Sequence, residues 1–190
     1  MDAHPVLEAL RQRCSARSYR PDLLDAGTVR TLLEAATRAP TAMHSEPWAF
    51  VVVQDIGRLH RYSEIAKAGW RGHEFAAALI RPEFNVFYDA STLIVILAKP
   101  VGPFAEADCW LAAGNLMLAA TALGFGSCCI GSAVEALGQP AIRAELGIPP
   151  DYVVVAPIIV GRMAEPCVPT SRQAPDLLTW ITPDREGGTS

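Results

Sequence analysis

Residues Cys109 to Val134 read CWLAAGNLMLAATALGFGSCCIGSAV, without one charged side chain. On paper the run is long enough to cross a bilayer. Its composition argues otherwise. It is rich in Ala and Gly, carries Asn115, Thr121, Ser127 and Ser132, and is broken at Gly124, Gly126 and Gly131. Its flanks are Asp108 and Glu135, with no basic anchor. A buried helix followed by a buried strand explains it better. The spacing predicts a central helix over Ala105–Leu123, stopped by Gly124, and a short strand over Ser127–Ile130. No membrane span is expected.

Elements of both kinds flank this run. His4–Arg13 forms a first helix, with Val6, Leu7 and Leu10 on one face. Asp25–Arg38 is a stronger one. Val29, Leu32, Leu33 and Ala36 recur at helical spacing, Asp25 is the N-cap and Pro40 stops it. Trp48–Gln54 is a continuous apolar run, the pattern of a strand covered on both faces. A helix over Ile56–Gly69 follows, then a second buried strand, Ser91–Ala98. Ala133–Leu146 is helical with a break at Gly138 and Pro140. Tyr152–Val160 is the last strand, and Pro157 inside it favours an edge or a bulge. Strands alternate with helices, so the class is α/β or α+β, with one sheet and helices on both sides. Residues 1–190 read as one domain, with 184–190 a loose tail.

Composition removes several functional classes. Of 190 residues, 51% are hydrophobic and 19% charged, which excludes wholesale disorder. The net charge of −4 gives no basic excess, so a nucleic-acid partner is not expected. Lys67 and Lys99 are the only lysines. The remaining basic residues are arginines, whose fork suits fixed anion sites. The five cysteines (Cys14, Cys109, Cys128, Cys129, Cys167) are odd in number and lack framework spacing, which argues against a secreted disulfide scaffold. The four histidines are scattered and no C-x-x-C or H-E-x-x-H occurs, so no metal site is expected. The N-terminus shows no signal-peptide pattern, and the expected location is cytoplasmic.

Four stretches could carry chemistry. Arg13-Cys14-Ser15-Ala16-Arg17 places two guanidinium forks around a hydroxyl. That set can hold a phosphate dianion, or it is a solvated arginine cluster at a helix end. Arg38-Ala39-Pro40-Thr41-Ala42-Met43-His44-Ser45-Glu46-Pro47-Trp48 joins a helix to a strand, is stiffened by two prolines and offers polar atoms; the bland reading is an ordinary loop before a core tryptophan. Gly124-Phe125-Gly126-Ser127-Cys128-Cys129-Ile130-Gly131 would let a flat ligand approach the backbone, or it merely ends a helix in a tight turn. It does not match the dinucleotide-binding G-x-G-x-x-G. Cys128 and Cys129 read as small buried residues rather than redox groups. Arg172 could complete an anion site if the tail folds back.

The order of these pieces is more specific than any one. R-x-S-x-R at Arg13–Arg17, then A-P-T-x-x-H-x-E-P-W-x-F-V-V-V from Ala39, resembles the nitroreductase-like flavoprotein family. The likeness continues through Asp89-Ala90-Ser91, Asp108, Asn115–Ala120, Leu123–Ser127, Leu146-Gly147-Ile148-Pro149, Val160-Gly161-Arg162 and Arg172. It implies an α+β fold with a central mixed β-sheet flanked by helices, in an intertwined homodimer with flavin mononucleotide (FMN) at the subunit interface. The uncharged helix would then be the dimer core.

Carried over by position, Arg13, Ser15 and Arg17 would hold the ribityl phosphate, joined by Arg172 and the backbone around Cys14. Pro40, Thr41, Ala42 and His44 would line the flavin ring edge from the other subunit. Cys129, Ile130 and Gly131 would lie along the ring, and Asn85 is the candidate for its pyrimidine edge. His44 stands where the family usually has Asn, Glu46 where it has Gln, and Thr41 where it has Ser. Glu46 would need a partner such as Arg38 to offset its charge. The resemblance implies an FMN-dependent oxidoreductase that takes electrons from NADH or NADPH by a ping-pong mechanism and reduces nitro compounds, quinones or another conjugated acceptor. The flavin carries the chemistry, and no catalytic side chain is needed. Rival readings are a flavin-fragmenting or dehalogenating member of the same fold, an FMN-binding sequestration or sensor protein without turnover, and a flavin-free structural homodimer.

Overall fold

Burial of the second apolar run on both faces organises the chain. In the computed structural model, which describes residues 4–70 and 80–182, this run forms strand β2 (Thr92–Ala98), and every residue in it is buried. Side chains alternate across a strand. Leu93, Val95 and Leu97 therefore enter one hydrophobic cluster, and Ile94, Ile96 and Ala98 enter another on the opposite face.

The helices are α1 (Pro5–Gln12), which buries no residue, and α2 (Ala26–Ala36), α3 (Ile56–Gly69), α4 (Ala105–Ala122), α5 (Val134–Leu137) and α6 (Pro140–Leu146), which cover those faces. The other strands are β1 (Trp48–Val53), β3 (Gly126–Cys129) and β4 (Val153–Gly161). On one face Val29, Leu32 and Ala36 of α2 and Cys109, Ala112, Leu116 and Ala120 of α4 are buried. On the other lie Leu59 and Tyr62 of α3, Leu137 of α5 and Ile142 of α6. The expected tail, 184–190, lies outside the described residues.

The sheet order is β1-β2-β4-β3. All three strand pairings are antiparallel. Among the described residues the parallel component is a single bridge, Ser15 to Ser127. The sheet is thus less mixed than the resemblance implied, because the segment running parallel to β3 is too short to make a ladder.

Two expectations change. β4 is an interior strand, not an edge. Pro157 is tolerated because β3 stops pairing at Cys129, opposite Ile158, and there the Ile130 amide donates to the Pro157 carbonyl (2.8 Å). The N and the C=O of one strand residue point to the same side, so the missing N–H faces the place where β3 has already left. A bulge is also present, with Val155 the extra residue opposite the Ile96–Leu97 step. β1, in contrast, is an edge strand. Its middle is half-buried and Val52 is exposed, because α4 packs chiefly across β2 and β4.

Local signals behave as the sequence suggests. Asp25 caps α2, accepting from the Thr28 amide (2.9 Å) and hydroxyl (2.6 Å). The interrupted helix splits into α5 and α6, with Pro140 opening α6 and Gly147 (φ 66°) closing it in the left-handed region.

Lys67, on α3, is buried, and its ammonium donates to the carbonyls of Arg81 (3.2 Å), Pro82 (3.5 Å) and Phe84 (2.9 Å) while pairing with Glu64 (2.6 Å). Replacing it by methionine leaves part-buried carbonyls without this donor and strips a buried site of its charge. Lys67→Met is expected to cost about 3 kcal/mol, read as a fall in Tm of about 6–12 °C; an unchanged Tm would show the ammonium to be dispensable. The Thr28 hydroxyl and amide hold the Asp25 carboxyl below its ordinary value. A depressed folded value stabilises above the unfolded value and is lost as pH falls through the folded one. The Tm gap between the wild type and Asp25→Ala should therefore be full at neutral pH and close below about pH 4.

Candidate functional site

The chain leaving α1 does not stay helical. It runs extended beside β3. Ser15 bridges Ser127, the Ala16 amide donates to the Ser127 carbonyl (3.1 Å), and Tyr19 bridges Met163. An extended segment alternates its side chains. Ala16 is buried inward, while Arg13 and Ser15 stay half-buried and Arg17 exposed. Gly126 makes the approach possible. A Cβ there would stand 2.6 Å from the Ala16 Cβ and 2.5 Å from the Met163 Cγ.

Burial pushes Cys128 up, and Arg17, a hydrogen bond from Ser15 and Arg13 each oppose that rise. Arg13 and Arg172 line one cavity of about 460 Å³ together with Leu7, Leu10 and Thr170. The tail thus folds back to bring the Arg172 guanidinium into a cavity that Arg11 and Arg13 also line. Arg17 also lies over the Tyr88 ring (5.9 Å to its centroid). Tyr88 and its neighbour Asp89 have φ of 50° and 55°. Asn85 braces this turn: its Oδ1 accepts from the Phe87 amide (2.9 Å) and its Nδ2 donates to Asp89 (2.7 Å). An amide keeps a further donor and acceptor after that.

The Pro40–Pro47 loop is strained. Met43, His44 and Glu46, none of them glycine, have φ of 55°, 53° and 40°. Such residues cluster at ligand sites and need a surround that over-determines them. Here the surround is Asp108, buried in the first turn of α4, which accepts from the Ala42 amide (3.0 Å). The Lys99 amide donates to the Pro47 carbonyl (2.7 Å). Pro40 and His44 are exposed, and Thr41 and Ala42 half-buried. Among the described residues Glu46 forms no ion pair with Arg38; its backbone carbonyl accepts from the Lys99 ammonium (3.4 Å).

After β3, Ile130 is buried and Gly131 opens a single 3-10 turn, Gly131–Ala133. A Cβ on Gly131 would meet nothing within 4 Å, so its backbone borders open space. Cys129 is half-buried, and burial pushes its thiol up to about 11, as it does for Cys109. The free cysteines are therefore neutral packing groups.

The two halves stand at opposite ends of the sheet. Ser127 of β3 and Thr92 of β2 both pair with Val160, at the Arg13–Arg17 end. Trp48, which closes the strained loop, pairs with Ala98, whose other partner is Val153. The length of β2 separates them, on the order of 20 Å. One chain therefore places Arg13, Ser15 and Arg17 on one segment and Arg172 in the cavity that Arg13 lines, but does not bring these together with Pro40, Thr41, Ala42 and His44.

Sequence reasoning overlooked three features. Asp108 is part of the family resemblance, but its hydrogen bond from the Ala42 amide was not foreseen. Tyr88 gave no signal. The third is a disulfide between Cys14 and Cys167 (Cα–Cα 6.1 Å), 153 residues apart in sequence. An odd cysteine count excludes a fully paired framework but not one long-range bridge.

Comparison with known proteins agrees with this geometry. Residues 10–162 match the profile of the Nitroreductase family. A protein of Archaeoglobus fulgidus named "Putative NADH dehydrogenase/NAD(P)H nitroreductase" is 30% identical over 160 residues, covering 82% of this chain and 83% of its own. A nitroreductase of Bacteroides fragilis, solved with bound FMN, superposes with a TM-score of 0.82 at 28% identity, over 95% of this chain and all of the other. An iodotyrosine deiodinase bound to FMN and 3-iodo-L-tyrosine shares the fold (TM-score 0.71, 19% identity, covering 93% of this chain and 99% of its own). The α+β architecture, the R-x-S-x-R strand beside β3 and the profile match over most of its length make this chain a member of the nitroreductase family.

Proposed function

We propose that the chain is an FMN-dependent oxidoreductase that works as a homodimer, moving electrons from NADH or NADPH to a nitro compound, a quinone or another conjugated acceptor. One observation carries the reading: Arg13, Ser15 and Arg17 lie along one extended segment beside β3, and Arg172 joins Arg13 in the same cavity. Guanidinium forks and a hydroxyl make the charge-assisted donors that a phosphate dianion needs. The open space over Gly131 fits a flat ring laid against the backbone there, with Cys129 and Ile130 alongside. The FMN bound in the Bacteroides fragilis relative supports the same choice.

When bound, FMN supplies a two-electron carrier between a nicotinamide donor and the acceptor. The chain's own residues do the rest. The arginines and Ser15 fix the phosphate and so the position of the ring. Gly131 admits close contact. The strained Thr41–His44 edge, pinned by Asp108, frames the slot where donor and acceptor alternate. Asn85 has amide capacity left for the pyrimidine edge.

The separation of the two half-sites favours assembly between two copies, each lending the loop that the other lacks. Exposed apolar surface agrees with this: Trp110 and Leu111 on α4, and Leu177, Leu178, Trp180 and Ile181 on the arm. A second reading, reductive dehalogenation of a halogenated aromatic, draws on the deiodinase likeness.

The first experiment is an absorbance spectrum, repeated anaerobically after NADH or NADPH is added. Flavin bands that bleach fit the oxidoreductase. Bands that persist favour a binding or sensing protein, and their absence after FMN is supplied removes the flavin reading. Turnover with nitroaromatics, quinones and halogenated phenols then ranks the acceptors. The double change Arg13→Gln/Arg17→Gln is expected to weaken FMN retention at least a hundredfold; a variant that purifies fully loaded would displace the phosphate from these residues. Asp108→Ala frees the Ala42 amide and is expected to destabilise by about 1–3 kcal/mol. Its KM for the acceptor should rise more than its FMN affinity falls, while Asp108→Asn, which keeps an acceptor oxygen, should recover most of the loss. Equal loss in the two variants would refute a role through that hydrogen bond.

A further inference from the structure

The arm that carries Arg172 is held by very little. After β4, Met163 pairs with Tyr19 and the Ala164 amide donates to the Ser18 carbonyl (3.1 Å). Among the described residues, 165–182 make no hydrogen bond and no ion pair. From Val168 to residue 182 every position is exposed. The one tie in that stretch is the bond from Cys167 to Cys14.

Both ends of that tie are placed for the phosphate site. Cys14 sits between Arg13 and Ser15. Arg172 follows Cys167 at a reach of roughly 17 Å in extended chain, and it lines the cavity that Arg13 lines. The disulfide is also reachable. Cys14 and Cys167 line a separate cavity of about 260 Å³ with Gly124, Phe125 and Met163. Tethering the arm raises the local concentration of Arg172 at the site, and releasing it returns that residue to a long flexible tail.

We propose that the Cys14–Cys167 disulfide is a redox latch on the phosphate site: closed, it holds Arg172 beside Arg13, and opened by a dithiol reductant it frees the arm and loosens the grip on the phosphate of the flavin. This rests on reading Arg13–Arg17 as that site. The step balances: a dithiol gives two electrons and two protons, its own sulfurs close into a disulfide, the Cys14–Cys167 bond breaks, and both leave as thiols. Where a reducing compartment holds a disulfide, the bond is usually transient and catalytic or redox-sensing.

The test uses the flavin-loaded protein in two states, air-oxidised and dithiol-treated. Thiols are counted after unfolding: three before reduction, and all five after. Flavin release on dilution, followed by fluorescence, gives the affinity for FMN and for riboflavin, which lacks the phosphate. Reduction is expected to weaken FMN binding about tenfold and leave riboflavin unchanged. Cys167→Ser should match the reduced protein and ignore the dithiol. Arg172→Gln should weaken FMN about tenfold in the closed state and add little in the Cys167→Ser background, since the two changes break one interaction. Equal FMN affinity in the two states, with the thiol count moving from three to five, overturns the latch. Five thiols before reduction overturn it by removing the bond. A protein that keeps its disulfide but holds no flavin in either state overturns the phosphate reading beneath it, and the thiol count separates that failure from the others.

Discussion

The close approach of three backbones at Gly126 sets the geometry on which the site depends. Residues 15–16, the start of β3 and the first turn past β4 meet where a single Cβ would collide with Ala16 and Met163. Glycine is required there by contact rather than by torsion angle. Once the segment lies against β3, its alternation decides which side chains turn inward. Tyr19 locks the register. Its hydroxyl donates to the Ala16 carbonyl (2.9 Å), and its ring lies 3.0 Å from where a Cβ on Gly161 would stand. Burial pushes that phenol far above its ordinary value, so it remains a neutral donor at every working pH. The same contact aims the arm after Met163 toward Cys14, so the Arg13–Arg17 segment and the tail are parts of one construction.

A second constraint is the length of β2. A strand of seven buried residues places its two ends far apart, and the candidate site has a half at each. No side-chain rearrangement closes such a gap. The apolar face of α4 belongs to the same problem. Its inner stripe of Cys109, Ala112, Leu116 and Ala120 is buried against the sheet, while Trp110 and Leu111 face out. A helix apolar on both sides within one chain, next to a site split in two, is what the proposed homodimer would complete, with a second copy lending its loop across that face.

What the sequence made legible were features with a local cause. The α2 periodicity and the Asp25 cap, the doubly buried β2 and the break before Pro140 each depend on neighbours a few residues away. The features that stayed hidden depend on distant pairing. Pro157 suggested an edge because a proline cannot donate; that β3 would end just beside it could not be known before the register was. The apolar β1 run implied cover on both faces, yet apolar residues at a sheet edge face thinner layers. Arg13, Ser15, Arg17 and Arg172 were legible as a set through their order along the chain. The Cys14–Cys167 bond was not, because no spacing rule reaches across 153 residues.

The buried charges carry this reading further. Among the described residues, the charged side chains buried in the fold are Lys67 and Asp108. Burying either ion costs several kcal/mol unless its hydrogen bonds are met. Each is met by the backbone of a loop: Lys67 by the carbonyls of Arg81, Pro82 and Phe84, and Asp108 by the amide of Ala42. Those two loops lead into the five non-glycine residues held at positive φ among the described residues, namely Met43, His44, Glu46, Tyr88 and Asp89. Each such residue costs on the order of 1–3 kcal/mol. Two unrelated penalties, buried charge and backbone strain, therefore coincide at the same two places, one beside Arg17 and one on the opposite edge of the sheet. A fold that needed only stability would relieve both with an apolar side chain and a glycine. Their coincidence is explained if the two loops must hold a set position against a ligand, and if the ion in each case is the device that holds it.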